Sequence, residues 1–213
     1  MLAVIARGWG IGCFSSDACG IDVARETIFR QVMEDKPLLE SGAGPDYLLW
    51  LDTDIIVSHD QIDKMLDFME SNPNADAASA LYLKKVGNIP VIFDAEPDET
   101  CPPHFYRFKQ AYKIPDKTGL IDGVGFGCII LRVDSLRNKL LPKYSDRRLF
   151  WFDTRKNLLE AKYVNGEDLN FCGLMKSAGM KLYLLPDIKV GHYGAVVGAP
   201  EHQFFGEQPH THG

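Results

Sequence analysis

The stretch Tyr47-Leu48-Leu49-Trp50-Leu51-Asp52-Thr53-Asp54-Ile55-Ile56-Val57 constrains this chain more than any other. An apolar run leads straight into two carboxylates, and a second apolar run follows. The first run reads as a strand buried on both faces, as in a parallel sheet covered by helices. A carboxylate buried there without a partner is costly. Asp52 and Asp54 are therefore expected at the carboxyl end of the strand, where open α/β sheets bind their ligands. If the backbone stays extended, the i, i+2 spacing aims both side chains at one point. Two carboxylates so aimed repel each other unless a cation sits between them. Hard oxygen donors of this kind suit Mg²⁺ or Mn²⁺, often shared with a phosphate. An Asp-x-Asp triplet is also common in solvated turns and helix caps, so the remainder of the chain has to decide.

With 213 residues the chain is long enough for one α/β domain with a substantial core. The net charge of −6 argues against a general binder of nucleic acid or of anionic membranes. No apolar run approaches the length of a transmembrane span. Met1 to Arg7 is too short and wrongly flanked for a signal peptide. The five cysteines, at positions 13, 19, 101, 128 and 172, are odd in number and contain no Cys-x-x-Cys. Cys128 and Cys172 lie among apolar residues and read as buried free thiols. A reducing, cytoplasmic setting accounts for them most simply.

Taken in order, Leu2 to Ala6 predicts a short buried strand, and Gly8, Gly10 and Gly12 a glycine-rich turn. Gly8-x-Gly10 falls short of a dinucleotide fingerprint. Ile21 to Met33 carries a helical apolar stripe, with Ser16 or Asp17 as its cap. Arg25 sits in its first turn, where the helix dipole disfavours a cation. It is either a surface residue or the partner of a phosphate or carboxylate. Ser58 and Gln61 form a capping box for a helix whose apolar face is Ile62, Met65, Leu66 and Met69. Ala77 to Leu83 predicts a strand, and Val91–Phe93 with Phe105–Phe108 a hairpin inside a long irregular insert. Asp122-Gly123-Val124-Gly125-Phe126-Gly127 precedes the apolar run from Cys128. Its alternating glycines let backbone approach closely either a ligand or another element. Asn165 is read as the cap of a helix that carries Glu167 and Asp168 in its first turn and stops at Gly179. Strand-like residues around Pro186 lead to Gly191-His192. Residues 1–194 are read as one domain, with a loose tail from 195 to 213.

Asp52/Asp54, Glu167/Asp168 and His192 each have an ordinary explanation, since acidic residues stabilise helix starts and a lone histidine is more often structural. Their order is less ordinary. The segments Asp46–Asp54, Gly123–Arg132, Gly166–Cys172 and Val190–His192 together resemble the glycosyltransferases of the GT-A fold, particularly the family 2 group. The resemblance runs from about Ile21 to Gly194. It implies an α/β, Rossmann-like, mixed and mostly parallel sheet flanked by helices. It also implies transfer of a sugar from a nucleoside diphosphate, UDP above all, to an acceptor hydroxyl, with inversion. By this resemblance Asp54 and His192 bind the metal, and Asp52 binds it or holds the ribose. Imidazole tilts the choice of metal from Mg²⁺ toward Mn²⁺. Asp168 is then the base and Glu167 orients the acceptor, with the reverse assignment open. Gly125 and Gly127 line the donor-sugar or acceptor site, and Arg25 lies near the diphosphate. Trp151 and Phe152 stack either on a sugar or in the core.

Family members begin with a strand, a nucleotide-binding turn, a helix and a second strand. Here one strand and one helix are predicted before the Asp52 strand, so the amino-terminal unit is expected to be shortened. Two rival functions share the carboxylates: a nucleotidyltransferase on a related scaffold, and a degenerate nucleotide-sugar-binding module without turnover.

Overall fold

The computed structural model describes residues 2–5, 12–14, 20–34, 45–85, 87–152 and 165–193. The glycines at 8 and 10, Ser16 and Asp17, the segment 153–164 and the tail from 195 lie outside the described residues. The strands are β1 (Leu2–Ile5), β2 (Gly12–Phe14), β3 (Tyr47–Leu51), β4 (Ile55–Ile56), β5 (Ala77–Leu81), β6 (Ile92–Pro97), β7 (Tyr106–Gln110), β8 (Gly119–Ile121), β9 (Gly123–Val124), β10 (Cys128–Arg132), β11 (Leu182–Lys189) and β12 (Gly191–His192). The helices are α1 (Ile21–Met33), α2 (His59–Ser71), α3 (Val133–Ser135), α4 (Leu141–Tyr144) and α5 (Glu167–Ser177), with a wide π-type turn, Leu136–Leu140, joining α3 to α4.

Seven strands form the main sheet in the order β2-β1-β3-β10-β5-β11-β8. It is mixed, and the expectation of a mostly parallel sheet is corrected. Of its neighbouring pairs only β5 and β11 run parallel. The apolar run of β3 is buried on both faces as expected, yet both its neighbours, β1 and β10, are antiparallel to it. A continuous apolar run reports that helices cover both faces; it carries no information on the direction of neighbouring strands. Leu48 and Trp50 face one core with Ile28, Phe29 and Val32 of α1 and Phe171 and Leu174 of α5. Leu49 faces the other with Met65, Leu66 and Met69 of α2. The alternation continues on β10, where Ile129 and Leu131 enter the first core and Cys128 and Ile130 the second.

Because β10 is antiparallel to both β3 and β5, these two run the same way, and β11 joins them. The carboxyl ends of β3, β5 and β11 therefore lie at one edge. They deliver Asp52–Asp54, Tyr82–Lys85 and, past Val190, His192. Gly125–Gly127 arrives at the same edge, since Cys128 at the start of β10 pairs with Leu51 at the end of β3.

Several local expectations need adjusting. Gly12 opens strand β2 and is not part of a turn. Helix α1 is capped by Gly20, with no side-chain hydrogen bond. Helix α5 is capped by Gly166, because the Asn165 amide is committed to the hairpin: it donates to Tyr106 O at 3.2 Å and accepts from Phe108 N at 3.4 Å. The Ser58–Gln61 capping box is present. Gly179, with φ +74°, ends α5 in the left-handed conformation that favours glycine. β6 and β7 form the expected hairpin, and β9 extends it to a three-stranded sheet. Pro186 lies within β11, where the register against β5 shifts.

Candidate functional site

Asp52 and Asp54 do not stay on an extended backbone. Ile55 N donates to Asp52 O at 3.0 Å, closing a turn over residues 52–55. The carboxylates then take different partners. Asp52 accepts from Arg25 Nη2 at 3.1 Å and 3.3 Å. Asp54 Oδ2 lies 2.6 Å from Lys85 Nζ and 3.4 Å from His192 Nε2. Like charges separated by two residues are most stable when each has its own cation.

His192 reaches Asp54 through the two-stranded ribbon of β4 and β12, in which His192 pairs with Ile55. Tyr193 N also donates to Asp54 O. The other ring nitrogen, Nδ1, is 3.0 Å from the Leu83 carbonyl oxygen, which can only accept. Nδ1 therefore donates; with Nε2 also protonated the ring is a cation facing Asp54, and with Nε2 unprotonated it offers the lone pair that a metal would take. Two ligands at roughly 2.1 Å from one cation sit about 3 Å apart when they meet at a right angle, close to the Asp54–His192 separation. These two residues could hold a metal. Among the described residues no group of three or more His, Cys, Asp or Glu side chains is gathered for one. Asp54 is held below the usual carboxylate range: burial pushes it up, but the Lys85 hydrogen bond and the His192 and Lys85 charges outweigh this.

Arg25 is 2% exposed and is not a surface residue. Its guanidinium pairs with Glu167 through Nη1 and with Asp52 through Nη2, and stands 5.4 Å from the Phe126 ring centroid. Its Nε is buried with no hydrogen-bond partner. Of the two readings of Arg25, the carboxylate partner is the one realised in this structure. Arg25 joins α1, the β3 end and α5.

Glu167 is buried and Asp168 part-buried at the start of α5. Burial pushes the Glu167 carboxyl up, the neighbouring Asp168 adds to this, and Arg25 opposes it. Asp168 is also pushed up by burial, against Arg25 and the Leu169 N–H, which donates to Asp168 Oδ1 at 2.8 Å. The carboxylates that read as a helix-start pair in the sequence thus differ in environment, with Glu167 ion-paired to Arg25.

Gly125 and Gly127 are set against a side chain. A Cβ at Gly125 would lie 2.3 Å from Tyr82 Oη and 2.7 Å from Val91 Cγ1, with Asp168 Oδ2 at 3.4 Å. A Cβ at Gly127 would lie 2.8 Å from Tyr82 Cζ and 3.0 Å from Ile55 Cδ1. Gly125→Ala is therefore expected to lower stability by about 1–3 kcal/mol through overpacking. An unchanged urea midpoint for that variant would show that this approach is not tight.

Tyr82 and Lys85 are the site residues that the sequence reading passed over. Tyr82 is 5% exposed, accepts the Gly127 N–H at 3.0 Å and meets the His192 ring edge-on at 5.7 Å. Burial, together with the charges of Asp168 and Asp52, pushes its phenol well above the ordinary tyrosine value, over the opposition of the Gly127 bond and Arg25. Both residues follow β5, so the available signal was that β5 ends at the same edge as β3. Trp151 packs on His104, with ring centroids 5.9 Å apart, while Phe152 is 44% exposed. Cys101, Cys128 and Cys172 are free and buried, and burial pushes the Cys128 thiol up to about 12.

No protein-family model matches the chain, and no curated protein sequence matches it. Among solved structures the chain is similar to the crystal structure of A197 from STIV. The two are 18% identical, the match covers 83% of this chain and 69% of that one, and the TM-score is 0.50. At that identity the likeness speaks for the fold alone. No helix among the described residues is long and apolar enough to cross a membrane.

Proposed function

We propose that this chain is a metal-dependent glycosyltransferase of GT-A type that moves a sugar from a nucleoside diphosphate to an acceptor hydroxyl with inversion. The observation that carries the reading is that Asp54 and His192 lie together past the ends of β3 and β11, while Arg25 ties Glu167, beside Asp168, to Asp52 at the end of β3. The Asp54–His192 pair suits a divalent cation, Mn²⁺ before Mg²⁺, and the Glu167–Asp168 pair suits proton transfer. The cation, when bound, neutralises charge on the departing diphosphate.

The remaining work falls to the chain. Asp168 accepts the proton of the acceptor hydroxyl as that oxygen attacks the sugar carbon. Glu167, held by Arg25, orients the acceptor. Arg25 positions Glu167 and Asp52, and Asp52 would hold the ribose or help hold the metal. The donor is taken to be UDP-linked on the resemblance of the motifs. The acceptor class remains a hydroxyl compound, such as a glycan.

Asp54→Ala is expected to abolish Mn²⁺-dependent UDP binding while leaving the fold intact, as read by calorimetric titration with and without the metal. Unchanged Mn²⁺-dependent binding in that variant would remove the metal assignment. A second reading, a nucleotide-sugar-binding module without turnover, is favoured by the antiparallel pairing of β1 with β3, which departs from the family's strand–helix–strand start. Binding of a labelled donor with neither transfer nor hydrolysis would select it. A nucleotidyltransferase would instead release pyrophosphate from a nucleoside triphosphate and would tolerate loss of Asp168.

A further inference from the structure

The Asp54 carboxylate already has a cation. Lys85 Nζ lies 2.6 Å from Asp54 Oδ2, the same oxygen that faces His192 Nε2 at 3.4 Å. An ammonium has three donors and no acceptor, so it cannot serve as a metal ligand. A divalent cation shared by Asp54 and His192 needs space at Oδ2 that the ammonium fills. The adjacent lysine is directed elsewhere, with Lys84 Nζ 5.8 Å from the Phe93 ring centroid. Lys85 and Asp54 are 40% and 37% exposed. Water screens the pair and keeps it weak, so it can open without disturbing the core.

We propose that Lys85 is a built-in competitor of the metal at Asp54. It neutralises the carboxylate in the metal-free protein and is displaced when a divalent cation binds. Its freed charge then faces the donor's diphosphate. This rests on the metal-dependent reading above. The exchange replaces one cation by another on Asp54 and makes or breaks no covalent bond. It explains how the carboxylate stays compensated before substrate arrives, and it couples metal entry to the appearance of a free ammonium beside the phosphates. Lysine suits this role because its point charge sits on a flexible stem.

The test titrates Mn²⁺ alone into the full chain and follows the free-ion signal by electron paramagnetic resonance, for the wild type, Lys85→Met and Lys84→Met. Lys85→Met is expected to bind Mn²⁺ about two- to fivefold more tightly, the range of an exposed ion pair. Lys84→Met removes an equal charge without touching Asp54 and is expected to match the wild type. With Mn²⁺ saturating, Lys85→Met is further expected to bind UDP more weakly. Equal Mn²⁺ affinity in all three chains, or an equal gain in both variants, overturns the exchange while leaving the metal site standing. Absence of Mn²⁺ binding from all three overturns the metal reading and the exchange with it.

Discussion

Asp168→Asn is expected to retain UDP-sugar binding and to lose transfer by about 10²–10⁴-fold, the usual contribution of a positioned base. The amide keeps the shape of the side chain and still accepts the Leu169 N–H through its oxygen, but it cannot take the acceptor's proton. Glu167 cannot readily substitute, because its carboxylate is ion-paired with Arg25. Single-turnover transfer with a saturating donor reads this directly. A variant at full rate sinks the assignment, and collapse in Glu167→Gln with a competent Asp168→Asn would exchange the two roles.

The pH dependence follows with a definite sign. Burial pushes Asp168 above the usual aspartate value, which is about 3.9. A base at Asp168 would work ionised, so transfer is expected to fall as pH drops through that raised value. The stability effect is opposite. The folded chain holds the proton more tightly than the unfolded chain, so the Asp168 contribution to stability declines as pH rises from the unfolded to the folded value.

The second large effect is on stability. Arg25→Met is expected to cost about 3–5 kcal/mol, because it leaves the buried Glu167 carboxylate, and the part-buried Asp52, without their cation. Glu167 is 6% exposed, and Asp52 shares the same guanidinium. Methionine keeps much of the volume against Phe126, so the loss reports charge more than packing. The deficit should shrink at acid pH, where the orphaned carboxyls take up protons. Adding Glu167→Gln to Arg25→Met should restore part of the loss, whereas the same change in the wild type should not stabilise. Urea unfolding of the four chains gives the coupling. A single variant within about 0.5 kcal/mol of wild type would show that the network is not energetically central.

Much of this site was legible in the sequence because its signals are local. An apolar run ending in Asp52 and Asp54 announces a buried strand and its carboxyl end. A stripe from Ile21 to Met33 announces a helix, and Ser58 with Gln61 announces the start of another. Gly179 marks a helix stop through its φ of +74°. The failures were those of direction and partner. The Asn165 cap was plausible in sequence, yet its amide serves the β6–β7 hairpin instead. The glycines at 125 and 127 announced close approach without naming Tyr82 as the neighbour.

Local pattern marked the main buried strand, the α1 stripe and the start of α2, because hydrophobic periodicity and capping act over a few neighbouring residues. Tertiary structure alone decided that β10 runs antiparallel between β3 and β5, that the Asp52 and Asp54 carboxylates part toward Arg25 and Lys85, and that Tyr82 lies between Gly127 and His192. The first is set by backbone pairing, and the others by which side chains the sheet order brings together. Such pairings are set by sheet order and burial among residues far apart in the chain, and no local pattern encodes them.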